Sequence, residues 1–370
     1  MNNTNKDNQT IVTFGEIMGR ICPPGYKRFV QSMPGSLELT FAGAEANVAA
    51  SLALLGAKAR FVTALPDNVL AVSCLQTLRG LGIDVSQIIR SKEGRLGLYF
   101  VEKGANQRPS NVVYDRDHSA IAQASATAFD WEAIYADAKW LHTTGITPAL
   151  SENAFASTLA AAKEAKARGL TVSCDLNFRK KLWRWREGTS ANDLAKDCMT
   201  QILPYVDVVI ANEEDAADVL GIHAEGSDVH SGQLDSQRYP EVAREIVRRF
   251  PNVRRVAITL RESISASHNN WGAMFYDAVS DKAHFAPLKD DAYAPYEIRD
   301  IVDRVGGGDS FGAGLVFALN TPGLDQPESA IRFAVAASCL AHSIEGDFNF
   351  STRTEVQALM GGSASGRVVR

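Results

Sequence analysis

Short apolar runs alternate with helical patterns along most of this chain, and few folds accommodate that order. Residues 11–14 form an apolar run typical of a buried strand, and residues 45–55 have apolar side chains at the spacing of one helix face. Gly56 follows, as is common just after a helix end. Residues 58–65 are again strand-like and 68–78 helical. This alternation predicts a parallel sheet covered by helices on both faces.

The same order continues towards the C-terminus. The segments predicted as strands are 140–143, 170–174, 206–211 and 253–260, and the predicted helices are 151–168, 240–250, 310–319 and 328–343. Segment 206–211 is almost wholly apolar, as expected for a central parallel strand. We therefore predict an α/β fold, a three-layer α/β/α sandwich over residues 11–361. The polar residues 1–10 are predicted to be a disordered tail.

Two regions interrupt the alternation. Residues 19–40 and 94–118 contain short alternating segments separated by Gly and Pro, which predicts antiparallel strands outside the main sheet. We expect these strands to form a small β-sheet lid over the α/β domain. Because a sheet edge has unpaired backbone groups, pairing the lid edges of two chains would bury them, which predicts a homodimer through the lid. Residues 223–238 are polar and predict a surface insertion.

Composition excludes several classes of protein. The net charge of −5 and the pI of about 5.9 offer no basic excess for a nucleic-acid partner. The five cysteines are odd in number and none are at C-x-x-C spacing, which predicts neither a zinc site nor a disulfide framework and favours a reducing cytoplasm. The first ten residues are polar and lack the apolar segment of a signal peptide, and the longest apolar stretches, such as 333–340, are too short for a membrane span. We expect a soluble cytoplasmic protein without a membrane partner.

The segment with the clearest chemistry is Gly306-Gly307-Gly308-Asp309, which precedes a predicted helix. Residues without a Cβ let the backbone approach a ligand, and the free N–H groups of a helix N-terminus attract an anion. A carboxylate beside such a site suits phosphoryl transfer to an alcohol, since it can accept the hydroxyl proton. A tight turn whose Asp caps a helix explains the same residues equally well. The segment matches neither a G-x-x-x-x-G-K-[ST] loop nor a G-x-G-x-x-G fingerprint.

A second segment, Gly43 to Asn47, opens the first predicted helix. Gly43 would let a substrate touch the backbone, and the Asn47 amide can both donate and accept hydrogen bonds to sugar hydroxyls. Taken alone, a capped helix start accounts for it.

Together, Gly43–Asn47 and 303–309 resemble the motifs of the ribokinase-like (PfkB) carbohydrate kinase family, and the resemblance covers residues 11–361. It implies an ATP- and Mg²⁺-dependent kinase with Asp309 as the base and Gly306, Gly307 and Gly308 as the anion hole. Arg304 and Gly307 stand where the family usually has Thr and Ala.

Two arginines and two tyrosines suggest which molecule would accept the phosphoryl group. In an open α/β sheet ligands lie outside the carboxyl ends of strands, so Arg179, which follows the strand 170–174, is well placed. Arg116, Tyr114 and Tyr99 lie in the predicted lid. Arg forks bind carboxylates and phenols bind oxygens, so a carboxylated polyol fits, although surface arginines and core tyrosines are the alternative.

The same residues, with GAEANVA, GITPAL and DLNFRKKLW, resemble the branch of the family that phosphorylates 2-keto-3-deoxygluconate. That resemblance implies sugar-acid contacts from Gly43, Tyr99, Tyr114, Arg116 and Arg179. It implies that Asp309 activates the hydroxyl at the far end from the carboxylate. Alternatives are a kinase for fructose, ribose or 2-keto-3-deoxygalactonate, or a non-catalytic sensor of sugar or nucleotide.

The nucleotide side is predicted from further segments. Asn212 and Asp215 are similar to the family's N-x-x-E motif, which organises Mg²⁺ and phosphate waters, and simple helix capping is the alternative. Thr259 and Arg261 lie where relatives approach the ATP phosphates, before a predicted loop at 263–270. Asn349 lies where relatives line the adenine pocket.

Overall fold

The computed structural model describes residues 9–212, 214–223 and 238–363, and its largest element is a nine-stranded sheet. The strands at its centre run parallel, in the order β4 (Ala59–Val62), β1 (Thr10–Phe14), β9 (Ala138–Thr144), β10 (Thr171–Asp175), β11 (Val208–Ala211) and β12 (Arg255–Ser265). Antiparallel strands complete the sheet beyond β12, namely β13 (His268–Asp277), β14 (Lys282–Ala286) and β17 (Tyr296–Ile298).

Each face of this sheet is covered by helices, because successive side chains of a strand point to opposite faces. Ile11 and Val12 of β1, for example, belong to two different apolar cores. One face packs against α4 (Ala120–Gln123), α5 (Trp131–Tyr135), α6 (Glu152–Ala167), α7 (Ala191–Ile202), α8 (Asp215–Leu220) and α9 (Tyr239–Arg249). The other packs against α2 (Ala44–Leu54), α3 (Val69–Gly80), α10 (Gly307–Leu319), α11 (Pro327–Ala341) and α12 (Arg353–Met360). The predicted three-layer α/β/α sandwich is confirmed.

A separate four-stranded sheet forms the lid in the order β3-β2-β7-β8. Its strands are β2 (Met18–Cys22), β3 (Glu38–Ala42), β7 (Gly97–Glu102) and β8 (Asn111–Asp115), with the short helix α1 (Phe29–Ser32) beside them. The prediction of purely antiparallel strands was wrong in one respect: β2 and β7 pair in parallel, whereas β2–β3 and β7–β8 are antiparallel. A parallel pair requires a long crossover connection, and the chain between β2 and β7 supplies one through further strands and helices.

The remaining elements are short. Two small strand pairs are β5 (Ala64–Pro66) with β6 (Ile89–Ser91), and β15 (Leu288–Lys289) with β16 (Ala292–Tyr293). Single 3₁₀ turns occur at Ala126–Ala128, Thr147–Ala149 and Leu203–Tyr205.

Several boundaries differ from the sequence predictions. The predicted loop at 263–270 is a tight hairpin, because β12 continues to Ser265 and β13 begins at His268. The first strand begins at Thr10, inside the predicted tail, whose residues 1–8 lie outside the described part of the chain. Of the predicted insertion, residues 224–237 also lie outside it.

All five cysteines are free thiols, and four of them are buried, as expected of small apolar core residues. Over the described ranges, no helix has both the length and the apolar character that a bilayer span requires.

Candidate active site

A cleft of about 360 Å³ lies where the carboxyl ends of the parallel strands meet the N-terminus of α10, beneath the lid. Its lining includes every site residue predicted from the sequence except Gly307 and Asn349: Gly43, Asn47, Tyr99, Tyr114, Arg116, Arg179, Asn212, Asp215, Thr259, Arg261, Gly306, Gly308 and Asp309. Residues from both ends of the sequence therefore meet in one cavity.

The glycine segment forms the first turn of α10. Gly306 is the N-cap in the left-handed conformation, with φ of 84°, and a Cβ on it would overlap the Asp347 carbonyl oxygen. The helix begins at Gly307, earlier than the predicted residue 310, so Asp309 lies within its first turn. Gly307 is buried against His342, whereas Gly308 is exposed to the cleft. The N-terminus of a 13-residue helix thus opens into the cavity, a favourable place for an anion.

The carboxylate of Asp309 is held by a side chain from the opposite end of the chain. Asn47 Nδ2 donates to Asp309 Oδ2 at 2.6 Å, and Asn47 Oδ1 accepts from the Gly43 backbone N–H at 3.2 Å. Gly43 itself fits because its Cα packs against the Glu16 carbonyl, where a Cβ would overlap. Burial raises the pKa of Asp309 to about 6, although the Asn47 hydrogen bond opposes that shift. Such a carboxylate is poised to accept a proton near neutral pH.

Glu45, inside the first predicted motif, was not selected as a site residue, yet it lines the cleft. Its Oε1 accepts hydrogen bonds from the hydroxyls of Thr144, at 2.7 Å, and Thr147, at 2.9 Å. Its side chain is fully buried against Gly15, where no Cβ would fit. Burial raises the pKa of Glu45 to about 7, so the cleft contains a second carboxyl that titrates close to neutral pH.

On the lid side, the aromatic and cationic side chains are already engaged with the protein. Arg116 is buried and ion-paired to Glu16, with Nε donating at 2.7 Å, and its guanidinium lies 5.5 Å from the Tyr114 ring centroid. Tyr99 is buried and its hydroxyl donates to Asp347 Oδ1 at 2.7 Å. The negative partner of Arg116 was missed because Glu16 lies outside any of the motifs recognised in the sequence.

Arg179 differs from Arg116 in its surroundings. It is exposed at the carboxyl end of β10, and its Nη1 donates a hydrogen bond to the neighbouring Phe178 carbonyl oxygen at 3.0 Å. It makes no ion pair with a carboxylate of the described residues, although it lines the cleft. Burial raises the pKa of the nearby Asp175, Asp215 and Asp309 carboxyls, and the guanidinium charge opposes that shift.

The residues predicted for the nucleotide are partly engaged in local structure. Asn212 Oδ1 accepts from the Asp215 backbone N–H at 2.9 Å, and Asp215 Oδ2 accepts from the Asn212 N–H at 3.0 Å. This reciprocal capping is the alternative that the sequence left open, and both side chains also line the cleft. Thr259 and Arg261 line the same end. The structure does not bring Asn349 there, because its amide donates to the Ala337 carbonyl oxygen and accepts from the Ser351 N–H.

Acidic side chains cluster at this end of the cleft without forming a closed metal site. Burial, together with the nearby Asp215 carboxylate, raises the pKa of Asp175 well above its usual value. Within the described ranges, no three His, Cys, Asp or Glu side chains are grouped so as to hold a metal ion. A divalent ion that retains waters and binds phosphate oxygens needs only one or two protein carboxylates, so Asp175 and Asp215 fit Mg²⁺.

A buried ionic network attaches the lid to the segment that leads into Gly306–Gly308. Arg20 of β2 pairs with Asp303 and Asp347 at 2.5 Å each, and all three side chains are buried. Asp303 Oδ1 also accepts from the backbone N–H groups of Arg304 and Val305. The network was not predicted, since no local pattern links residues 283 and 327 positions apart.

A helix N-terminus beside a carboxylate, in a lidded cleft of an α/β/α fold, is the arrangement expected of a kinase that phosphorylates a small alcohol. Known proteins agree. The model of the pfkB family of carbohydrate kinases matches residues 8–260. The chain is 31% identical to 2-dehydro-3-deoxygalactonokinase of Haloferax volcanii over 96% of its length and 98% of that protein. It is 28% identical to 2-dehydro-3-deoxygluconokinase of Thermoproteus tenax over 91% of its length and 90% of that protein.

Among solved structures, 2-dehydro-3-deoxygluconokinase of Thermotoga maritima is 44% identical, with a TM-score of 0.86 over 96% of this chain and 99% of that one. The chain belongs to the pfkB family of carbohydrate kinases.

Proposed function

We propose that this protein transfers the γ-phosphoryl group of ATP to the 6-hydroxyl of 2-keto-3-deoxygluconate. The observation that carries the proposal is the presence, in one cleft, of Asp309 at the α10 N-terminus and of an exposed Arg179 that forms no ion pair within the described residues. Asp309 would accept the hydroxyl proton, and Arg179 would bind the carboxylate of the sugar acid. The names of similar proteins favour a 2-keto-3-deoxy sugar acid, as gluconate or as its galactonate epimer.

ATP and Mg²⁺ are the proposed co-substrate and metal. The N–H groups at Gly306 and Gly308 would stabilise the charge of the transferred group, as backbone donors do in phosphoryl transfer. Mg²⁺, when bound with ATP, supplies neutralisation of the phosphate charge. Asp175 and Asp215 would hold its waters, while Thr259 and Arg261 would line the phosphate side of the cleft.

The proposed reaction is tested by coupled ADP release with 2-keto-3-deoxygluconate, 2-keto-3-deoxygalactonate, fructose and ribose as acceptors. We expect the highest kcat/KM for one of the two acids. Turnover of fructose or ribose without turnover of either acid would contradict the substrate assignment and leave the kinase class intact.

The carboxylate contact gives the first specific prediction. Replacing Arg179 by Met should raise KM for the sugar acid by about 10- to 100-fold, since hydrogen bonds to charged groups are among the strongest in proteins, and should leave kcat nearly unchanged. KM for a neutral sugar should not move. Arg168→Met, at an exposed arginine at the end of α6, is the matched control. An equal rise in KM for neutral and acidic sugars would show that Arg179 does not recognise the carboxylate.

We also propose that the chain forms a homodimer through the lid. The lid face turned away from the cleft exposes Leu39, at 49%, and Val113, at 53%, whereas Tyr99 and Tyr114 lie on the cleft side. Strands β3 and β8 are the edges of this sheet, and exposed apolar edges tend to pair.

The dimer is predicted to dissociate when its apolar face receives a charge. Light scattering should give about 80 kDa for the wild type, twice the chain mass of 40.0 kDa, and about 40 kDa for Val113→Asp. Val279→Asp, at a valine exposed to 78% in the turn after β13, should leave the mass unchanged. A wild-type mass of one chain at working concentrations would refute the proposal.

A further inference from the structure

Arg304 is a partly buried cation held by backbone carbonyl oxygens. Its Nη2 donates to the carbonyl oxygens of Ser265, at 3.0 Å, and Ala266, at 2.8 Å, which lie at the tip of the β12–β13 hairpin. Its Nε is buried and has no hydrogen-bond partner among the described residues. No carboxylate of the described residues forms an ion pair with it. The guanidinium nevertheless lines the cleft.

The carboxylate next in sequence favours this charge but forms no ion pair with it, because its oxygens are already engaged. Asp303 uses Oδ1 for the backbone N–H groups of Arg304 and Val305, and Oδ2 for Arg20. Arg261 adds a second guanidinium to the same end of the cleft. Burial, reinforced by the charge of Arg261, lowers the pKa of Arg304, which still remains protonated because arginine does not lose its proton in proteins.

A partly buried charge that forms no ion pair is stabilised by a ligand that neutralises it. The guanidinium follows Asp303 and precedes Gly306 by two residues, so the hairpin carbonyls hold it beside the N-terminus of α10. The guanidinium and the helix N-terminus both favour negative charge, and both line the cleft together with Asp309. A terminal phosphate is the anion that the proposed reaction brings there.

We propose that Arg304 binds the terminal phosphate of the nucleotide and stabilises it during transfer, an inference that depends on the proposed kinase function. In that step the sugar hydroxyl oxygen forms a bond to the γ-phosphorus as its proton passes to Asp309. The bond from the γ-phosphorus to the β–γ bridging oxygen breaks, and its electron pair leaves with ADP. Arg304 binds oxygens of the group in transit, and the hairpin carbonyls of Ser265 and Ala266 hold it in position.

The test measures nucleotide binding by calorimetry without sugar, using AMP, ADP and a non-hydrolysable ATP analogue. Arg304→Gln should weaken binding of the ATP analogue by about 10- to 100-fold, because the lost contact is to the terminal phosphate. Binding of ADP should weaken far less, and binding of AMP by less than about twofold. Arg304→Lys, which retains a charge, should recover part of the loss. Arg244→Gln, at a half-exposed arginine on α9, is the matched control.

If Arg304 had a purely structural role at the hairpin, Arg304→Gln would weaken binding of AMP, ADP and the analogue equally, and Arg304→Lys would recover none of the loss. That result would overturn the proposal. Equal losses for ADP and the analogue would overturn the terminal-phosphate contact. Failure of the wild type to phosphorylate any sugar, with analogue binding still dependent on Arg304, would instead refute the proposed function alone. Thermal unfolding of both variants checks that they are folded.

Discussion

Replacing Asp309 by Asn should lower kcat by about 10²- to 10⁴-fold, the usual contribution of a general base. The amide has nearly the same shape as the carboxylate but cannot take the hydroxyl proton. Binding of the sugar acid should change little, because the variant leaves the helix N-terminus and Arg179 intact. Single-turnover kinetics and calorimetric sugar binding measure the two effects separately. Activity equal to that of the wild type would mean that Asp309 is not the base.

The pH dependence of the wild type provides a second measure of the same residue. A base acts in its deprotonated form, so activity is lost as pH falls through its pKa. With the pKa of Asp309 raised to about 6, kcat/KM should rise up to about pH 6 and then level off. The pKa of Glu45, raised to about 7, is so near that of Asp309 that the two titrations would overlap in the pH profile. Glu45→Gln removes that second titration, and an inflection that remains near pH 6 then belongs to Asp309.

The fold was predictable because its signal is local and repeated. Segments such as 206–211 and 151–168 show the strand and helix patterns within their own length, and the structure has β11 and α6 there. The hairpin of β12 and β13 was not predicted, since its turn lacks the Gly or Asn-Gly pair that usually indicates one. Helix α7 was overlooked, although Ser190 at its N-cap accepts from the Asp193 N–H.

The candidate site was predictable only where a motif joined distant segments. Gly43–Asn47 and Gly306–Asp309 were paired by family resemblance, and the structure has Asn47 hydrogen-bonded to Asp309. Glu16 and Asp347 could not be found in this way. Their importance comes from contacts with Arg116 and Arg20 across 100 and 327 residues, and nothing in their own neighbourhoods indicates it.

Replacing Arg20 by Met should lower the free energy of unfolding by about 3–5 kcal/mol, the usual cost of removing one partner from a buried ionic network. Methionine fills much of the volume but leaves Asp303 and Asp347 charged and buried, with side-chain exposures of 2% and 5%. Urea titration measures the loss. Arg95→Met is the matched control in the same lid, because its pair with Asp115 is exposed, and it should cost at most about 1 kcal/mol.

The pH dependence of this loss distinguishes lost charge pairing from lost packing. Without the guanidinium, burial keeps the pKa of Asp347 in the folded state above its value in the unfolded chain. The variant therefore loses stability as the pH rises from the unfolded-state pKa through the folded-state pKa. The loss of stability relative to the wild type should therefore be larger at pH 8 than near pH 4, where the Asp347 carboxyl is increasingly protonated. A second change, Asp347→Asn, should recover part of the loss at pH 8. A deficit independent of pH would mean that Arg20 acts by filling space, and that the lid is not fixed to the Gly306 segment through charge.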